Sequence, residues 1–155
     1  MFDSGLTMKQ QVDRICQTAY FEIRRIGSIR QFLTIEATKI LVTSLVLSRL
    51  DYCNFLLAGI PQKLVNKVQR VMNCAARLVC KALKHEHVTH LLVDLHWLSV
   101  ERRIEYKIAT ICCSVITGTA PPYPSDLLEL YTLSRTPHSS ADTGIFRIPN
   151  RRKRF

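Results

Sequence analysis

Between residues 62 and 83 apolar and basic side chains separate at helical spacing, and this separation constrains the fold more than any other feature of the chain. Leu64, Val68, Val71, Met72, Ala75, Leu78 and Val79 recur mostly at steps of three and four, the repeat of a helix with about 3.6 residues per turn. On the same helix Lys63, Lys67, Arg70, Arg77, Lys81 and Lys84 fall in one stripe roughly 100° wide. One face is therefore expected to pack against the rest of the protein and another to present a row of cations. The segment contains no acidic residue to neutralise that row. Like charges at such spacings repel one another and cost stability. A polyanion lying along the row would offset that cost, and solvation of the row is the plainer alternative.

The neighbouring segments also read as helices. Val12, Ile15, Cys16, Ala19, Ile23 and Ile26 give a helical repeat over 9–26, with Gly27 and Ser28 expected to end or bend it. Thr34 is placed to cap a second helix, with Glu36 in its first turn, where a carboxylate favours the helix dipole. That helix carries Ile40, Leu41, Leu45, Leu47 and Leu50 and is apolar over much of its surface, so it is expected to be buried and central and to run to about Ala58. Gly59 and Pro61 then mark a stop and a restart. Residues 85–98 form a connector with one or two helical turns. Ser99 caps a further helix from about 100 to 117, with Glu101 in its first turn and Gly118 at its end. Ala120-Pro121-Pro122-Tyr123-Pro124 is a stiff linker. Ser125 caps a short turn containing Leu127, Leu128 and Leu130, and an irregular tail follows with Arg151, Arg152, Lys153 and Arg154 near its end. The expected fold is all-α: a small bundle of about four main helices, with residues 1–118 as the helical domain and 119–155 as linker and basic tail.

Charge then narrows function. The 22 Lys and Arg outnumber the 12 Asp and Glu, leaving a formal net charge of +10. The excess is spread along the chain, as suits a folded surface that attracts a polyanion. No basic stretch followed by an apolar run marks a secretory signal, and the apolar runs are far shorter than a membrane span. Six cysteines, several on apolar helical faces, are expected to be thiols in a reducing, intracellular setting, nuclear or cytoplasmic, with no membrane partner.

Recognisable catalytic chemistry is scarce. Cys74, Cys80, His85, His87 and His90 are close in sequence and chemically able to ligate zinc, but they lack the Cys-x2-Cys spacing of a structural site. Cys53, Cys112 and Cys113 have no fixed base beside them. Asp51 and Asp94 stand singly, without the paired carboxylates of metal-assisted phosphoryl transfer. With 5 glycines in the chain, phosphate-cradling loops are few. No catalytic residue, metal site or cofactor is assigned to the chain. Trp97, with Tyr52, Phe55 and Tyr106, fits a core anchor better than an exposed platform for bases.

Several strings together resemble one family. They are Phe2-Asp3-Ser4, Leu6-Thr7-Met8 and Gln11-Val12; then Leu47-Ser48-Arg49-Leu50-Asp51-Tyr52-Cys53-Asn54 with Leu57-Ala58-Gly59-Ile60-Pro61; then Gln69-Arg70-Val71 and Ala75-Ala76-Arg77-Leu78-Val79. His87-Val88-Thr89-His90-Leu91-Leu92, Leu95-His96-Trp97-Leu98-Ser99-Val100, Arg103-Ile104 and Tyr106-Lys107-Ile108 continue the series. This pattern resembles the region after the catalytic palm in reverse transcriptases of non-LTR (LINE-type) retrotransposons, and it extends over nearly the whole chain. His90 and Ser99 stand where that family usually has proline.

The resemblance implies a thumb-like module of an RNA-directed DNA polymerase that grips template and primer. Fingers and palm would lie elsewhere in a parent protein, and the polymerase as a whole would need divalent metal ions such as Mg. The family's catalytic aspartates have no counterpart here. Lys63, Lys67, Arg70, Arg77, Lys81 and Lys84 are then the expected phosphate contacts to DNA, RNA or an RNA–DNA hybrid. The alternative from another class is a helical scaffold or adaptor whose basic helix binds an acidic protein surface.

Overall fold

The computed structural model describes residues 8–52, 54–83 and 85–121. These contain helices and no strand. They are α1 (Lys9–Ile29), α2 (Ile35–Val42), a π-helical turn at Thr43–Leu47, α3 (Ser48–Asp51), α4 (Gln62–Cys80), α5 (Val88–Asp94) and α6 (Val100–Ile116). An all-α helical fold is what the sequence periodicity requires. The chain divides into a unit Met1–Lys107 and a unit Ile108–Phe155. In the second unit the described residues finish α6: Gly118 adopts φ 68°, and the Thr119 N–H donates to the Ser114 carbonyl at 2.9 Å. Most of the linker, the Ser125 turn and the basic tail lie outside the described residues, as do Cys53 and Lys84.

In the first unit, α1 and α4 run side by side in the same direction. Asp13 meets Lys67 near their starts, Tyr20 lies near Cys74 midway, and Arg30 meets Leu78 and Val79 at their ends. The shared core comprises Val12, Cys16, Ala19 and Ile26 of α1, Val42, Val46, Leu47 and Leu50 of the second helical stretch, and Val68, Val71, Met72, Ala75 and Val79 of α4. Burial also pushes the Cys16 thiol above its usual range, which keeps it protonated and unreactive. Leu95, Trp97, Val100 and Ile104 close the other flank; Trp97 belongs to this core, whereas Tyr52, Phe55 and Tyr106, grouped with it in the sequence, are exposed.

Three boundaries and one placement differ from the expectation, each for a physical reason. α1 continues through Gly27 to Ile29, because Arg30 and the packing of Gly27 beside Leu78 hold the last turn. The second helical stretch stops at Asp51 rather than near Ala58, since Tyr52 turns extended (ψ 115°) and only a short 3₁₀ turn, Asn54–Leu57, follows. That stretch is also less central than its composition suggests: Ile35 and Ile40 are exposed, while α4, with α1, α2 and α5 packed on it, is the buried centre. Finally, α4 ends at Cys80, not 83. Lys81 takes the left-handed conformation (φ 53°), and the Ala82 N–H returns to the Arg77 carbonyl at 3.1 Å, closing the helix in a Schellman arrangement. The Thr34 cap is as expected: its hydroxyl accepts from the Ala37 N–H at 3.2 Å.

The α4 terminus is finished by a side chain from another element. Arg30 is 7 % exposed, and among the described residues no acidic side chain bonds it. Its Nε donates to the Leu78 carbonyl at 2.9 Å and its Nη2 to the Val79 carbonyl at 2.7 Å, while Nη1 reaches the Leu33 carbonyl at 2.8 Å. The negative end of the α4 dipole thus takes the place of a carboxylate as counter-charge. Stranding these acceptors costs about 1–3 kcal/mol each. Arg30→Ala is accordingly expected to lower the unfolding free energy by about 3 kcal/mol, read by urea denaturation. Arg30→Lys is expected to recover less than half, because an ammonium lacks the planar fork that spans these carbonyls.

Candidate nucleic-acid interface

The exposed strip of α4 follows from what buries its other sides. α1 packs on the side carrying Leu78, which lies beside Gly27, and Val68 and Met72 face Leu47 and Leu50 of the second helical stretch across a small cavity. The start of α6 approaches on the third side, where the Val100 N–H donates to Gln69 Oε1 at 2.8 Å and Gln62 Nε2 donates to Glu101 Oε1 at 2.6 Å. The remaining strip reads Lys63, Asn66, Arg70, Asn73 and Arg77, at steps of three and four. Its cations are spaced by two turns, about 10 Å along the axis.

The six cations expected to form one row therefore separate into different states. Lys63 and Arg70 are exposed and make no ion pair with any described residue. Arg77 stays in the row but is half-buried: Nη2 donates to the Glu86 carbonyl at 3.3 Å, and the buried Nε has no partner, so this residue also fixes the loop after α4. Lys67 leans toward α1, where Nζ donates to Asp13 Oδ1 at 2.6 Å. Lys81 is exposed but does not continue the row, because the helix has already ended at Cys80. Lys84 lies outside the described residues.

One cation joins the strip from another element. Arg24 is exposed one turn beyond Tyr20 on α1, on the side of that helix that borders α4. Within α1 alone it is one of several solvent-facing arginines, and only the parallel pairing of the two helices brings it to this face. Arg25, by contrast, pairs with Glu22 at 3.3 Å and lies over the Phe21 ring. Arg102 pairs with Glu105 at 2.8 Å, and Arg103 pairs with Asp51 at 2.5 Å.

The residues considered for metal or redox chemistry do not assemble. Among the described residues no group of three or more His, Cys, Asp or Glu is placed to hold a metal ion. His87 and His90 meet edge to face with ring centroids 6.1 Å apart. Among the described residues the cysteines are free. No helix there is long and apolar enough to cross a membrane. No family model matches the sequence, no curated protein is similar to it, and no solved structure matches its fold.

The bond to Asp13 raises the Lys67 pKa, as any acceptor that favours the charged form does. Because the folded value lies above the unfolded one, the pair stabilises the fold at neutral pH. That contribution is complete below the ordinary lysine pKa and is lost as pH rises through the raised value. In Asp13→Asn, the Lys67 pKa should fall back toward the ordinary range, measured by NMR titration of the side-chain ammonium; an unchanged value would show that Asp13 does not hold it.

Proposed function

We propose that this chain is a thumb-like helical module of a retroelement reverse transcriptase and that it binds nucleic acid through the phosphate backbone. The observation that carries this reading is the strip Lys63, Arg70 and Arg77 on α4, with Arg24 beside it and no acidic residue in the row. A duplex strand presents one phosphate per about 3.4 Å of axis. Cations two turns apart on a helix therefore meet separate phosphates, and each binding event releases counterions. Asn66 and Asn73, between the cations, add amide groups able to bond phosphate or sugar oxygens. Contacts of this kind position a duplex without reading its sequence. The net charge of +10 favours the same class of partner. The sequence strings resembling the post-palm region supply the parentage, and with it the role of gripping template and primer beside a palm.

The test is titration of the full chain with duplex DNA and RNA–DNA hybrid at several salt concentrations. The variant Arg24→Ala/Lys63→Ala/Arg70→Ala should bind unrelated sequences more weakly by similar factors. The slope of log affinity against log salt should become shallower by about 2–3, since each phosphate no longer neutralised removes roughly 0.9. Arg77 is left intact because it holds the loop. An unchanged slope would contradict the proposal. Tighter binding of an acidic polypeptide than of either duplex would favour the adaptor reading instead.

A further inference from the structure

The small cavity between the second helical stretch, α4 and the start of α6 has a volume of about 10 Å³. That is the room one water molecule needs. Leu50, Val68 and Met72 supply apolar wall, and Asp51, Asn54 and Arg103 supply the polar part. None of the cations of the α4 strip lines it.

Asn54 sits in the 3₁₀ turn that leads toward α4 and is 6 % exposed. Its Oδ1 is buried, and among the described residues no donor reaches it. Folding strips the hydration from such an oxygen, and the protein returns no hydrogen bond for it. The charged groups beside it are held in place. Arg103 Nη1 donates to Asp51 Oδ2 at 2.5 Å, and its Nε donates to the Leu98 carbonyl at 2.9 Å. Neither bond uses Asp51 Oδ1 or Arg103 Nη2. The polar residues of the lining thus comprise an acceptor that needs a donor, a carboxylate and a guanidinium. An internal water typically takes about three such partners.

We propose that this cavity is a binding site for one internal water molecule, which donates one hydrogen to Asn54 Oδ1 and the other to the Asp51 carboxylate and accepts from the Arg103 guanidinium. A larger ligand does not fit the volume, and an apolar filling would leave the amide oxygen unpaired. The water joins the turn before α4 to the ion pair that ties α3 to α6. It therefore helps fix the start of α6, where the Val100 N–H and Glu101 bond Gln69 and Gln62 of α4. The site is independent of the nucleic-acid reading, which uses none of these residues.

The test is water–protein Overhauser spectroscopy of the labelled full chain. A bound, long-lived water gives cross-peaks at the water frequency whose signs are opposite in the laboratory and rotating frames. The wild type is expected to show them at the Asn54 side-chain amide and at the methyl groups of Leu50, Val68 and Met72. In Asn54→Leu the water loses its acceptor and the isobutyl group takes its room, so the methyl cross-peaks should be lost. Absence of the cross-peaks in the wild type overturns the proposal whatever the variant does. Methyl cross-peaks that persist undiminished in a folded Asn54→Leu overturn it as well. If that variant fails to fold, the wild-type spectrum decides alone: cross-peaks at all four residues support the site, and their absence contradicts it.

Discussion

The fold depends on a buried guanidinium that has a helix end for a counter-ion. Arg30 leaves α1, crosses to α4 and bonds the carbonyls of Leu78 and Val79 while also holding Leu33 in the turn toward α2. A cation so enclosed is costly to desolvate, and the unpaired carbonyls of a helix terminus are costly to bury. Here each satisfies the other. The same bonds set where α4 stops, align the ends of α1 and α4, and fix the turn that sends the second helical stretch back across both.

That alignment determines which charges remain on the surface. With α1 parallel to α4, Asp13 lies within reach of Lys67 and draws it out of the basic row. Arg24 arrives on the same face in compensation. The α6 side is closed by Gln62 and Gln69, which also bond Asn66 and Asn73 at 3.2 and 2.8 Å. Glutamines and asparagines thus bridge the transition from packed core to charged strip, and the strip stays narrow because α4 has neighbours on its other sides.

Much of this is legible in the residues themselves. The helical period that starts at Gln62, the Thr34 cap and the break at Gly59-Pro61 follow from local chemistry, and the structure has all of them. What stays hidden arises from interactions distant in sequence. Nothing local announces that α4 ends at Cys80, since Lys81 is not the glycine usually found in a left-handed cap; the arginine holding the end lies about fifty positions earlier. The apolar second helix reads as central in the sequence because composition cannot say how many neighbours a helix has. Likewise, a single-helix wheel places Lys67 with Lys63 and Arg70, and only the facing carboxylate on α1 separates them. The Arg103–Asp51 pair has no sequence signal, because the two residues meet only through tertiary packing.

The central claim is that the outer strip of α4, with the adjoining edge of α1, is where nucleic acid binds. An amide NMR titration of the labelled full chain with a mixed-sequence duplex tests it most directly. The account predicts shifts concentrated at Lys63, Asn66, Arg70, Asn73 and Arg24, with Thr43 and Arg49 on the second helical stretch unaffected. Shifts centred on that stretch, or none along α4 at saturating duplex, would contradict it.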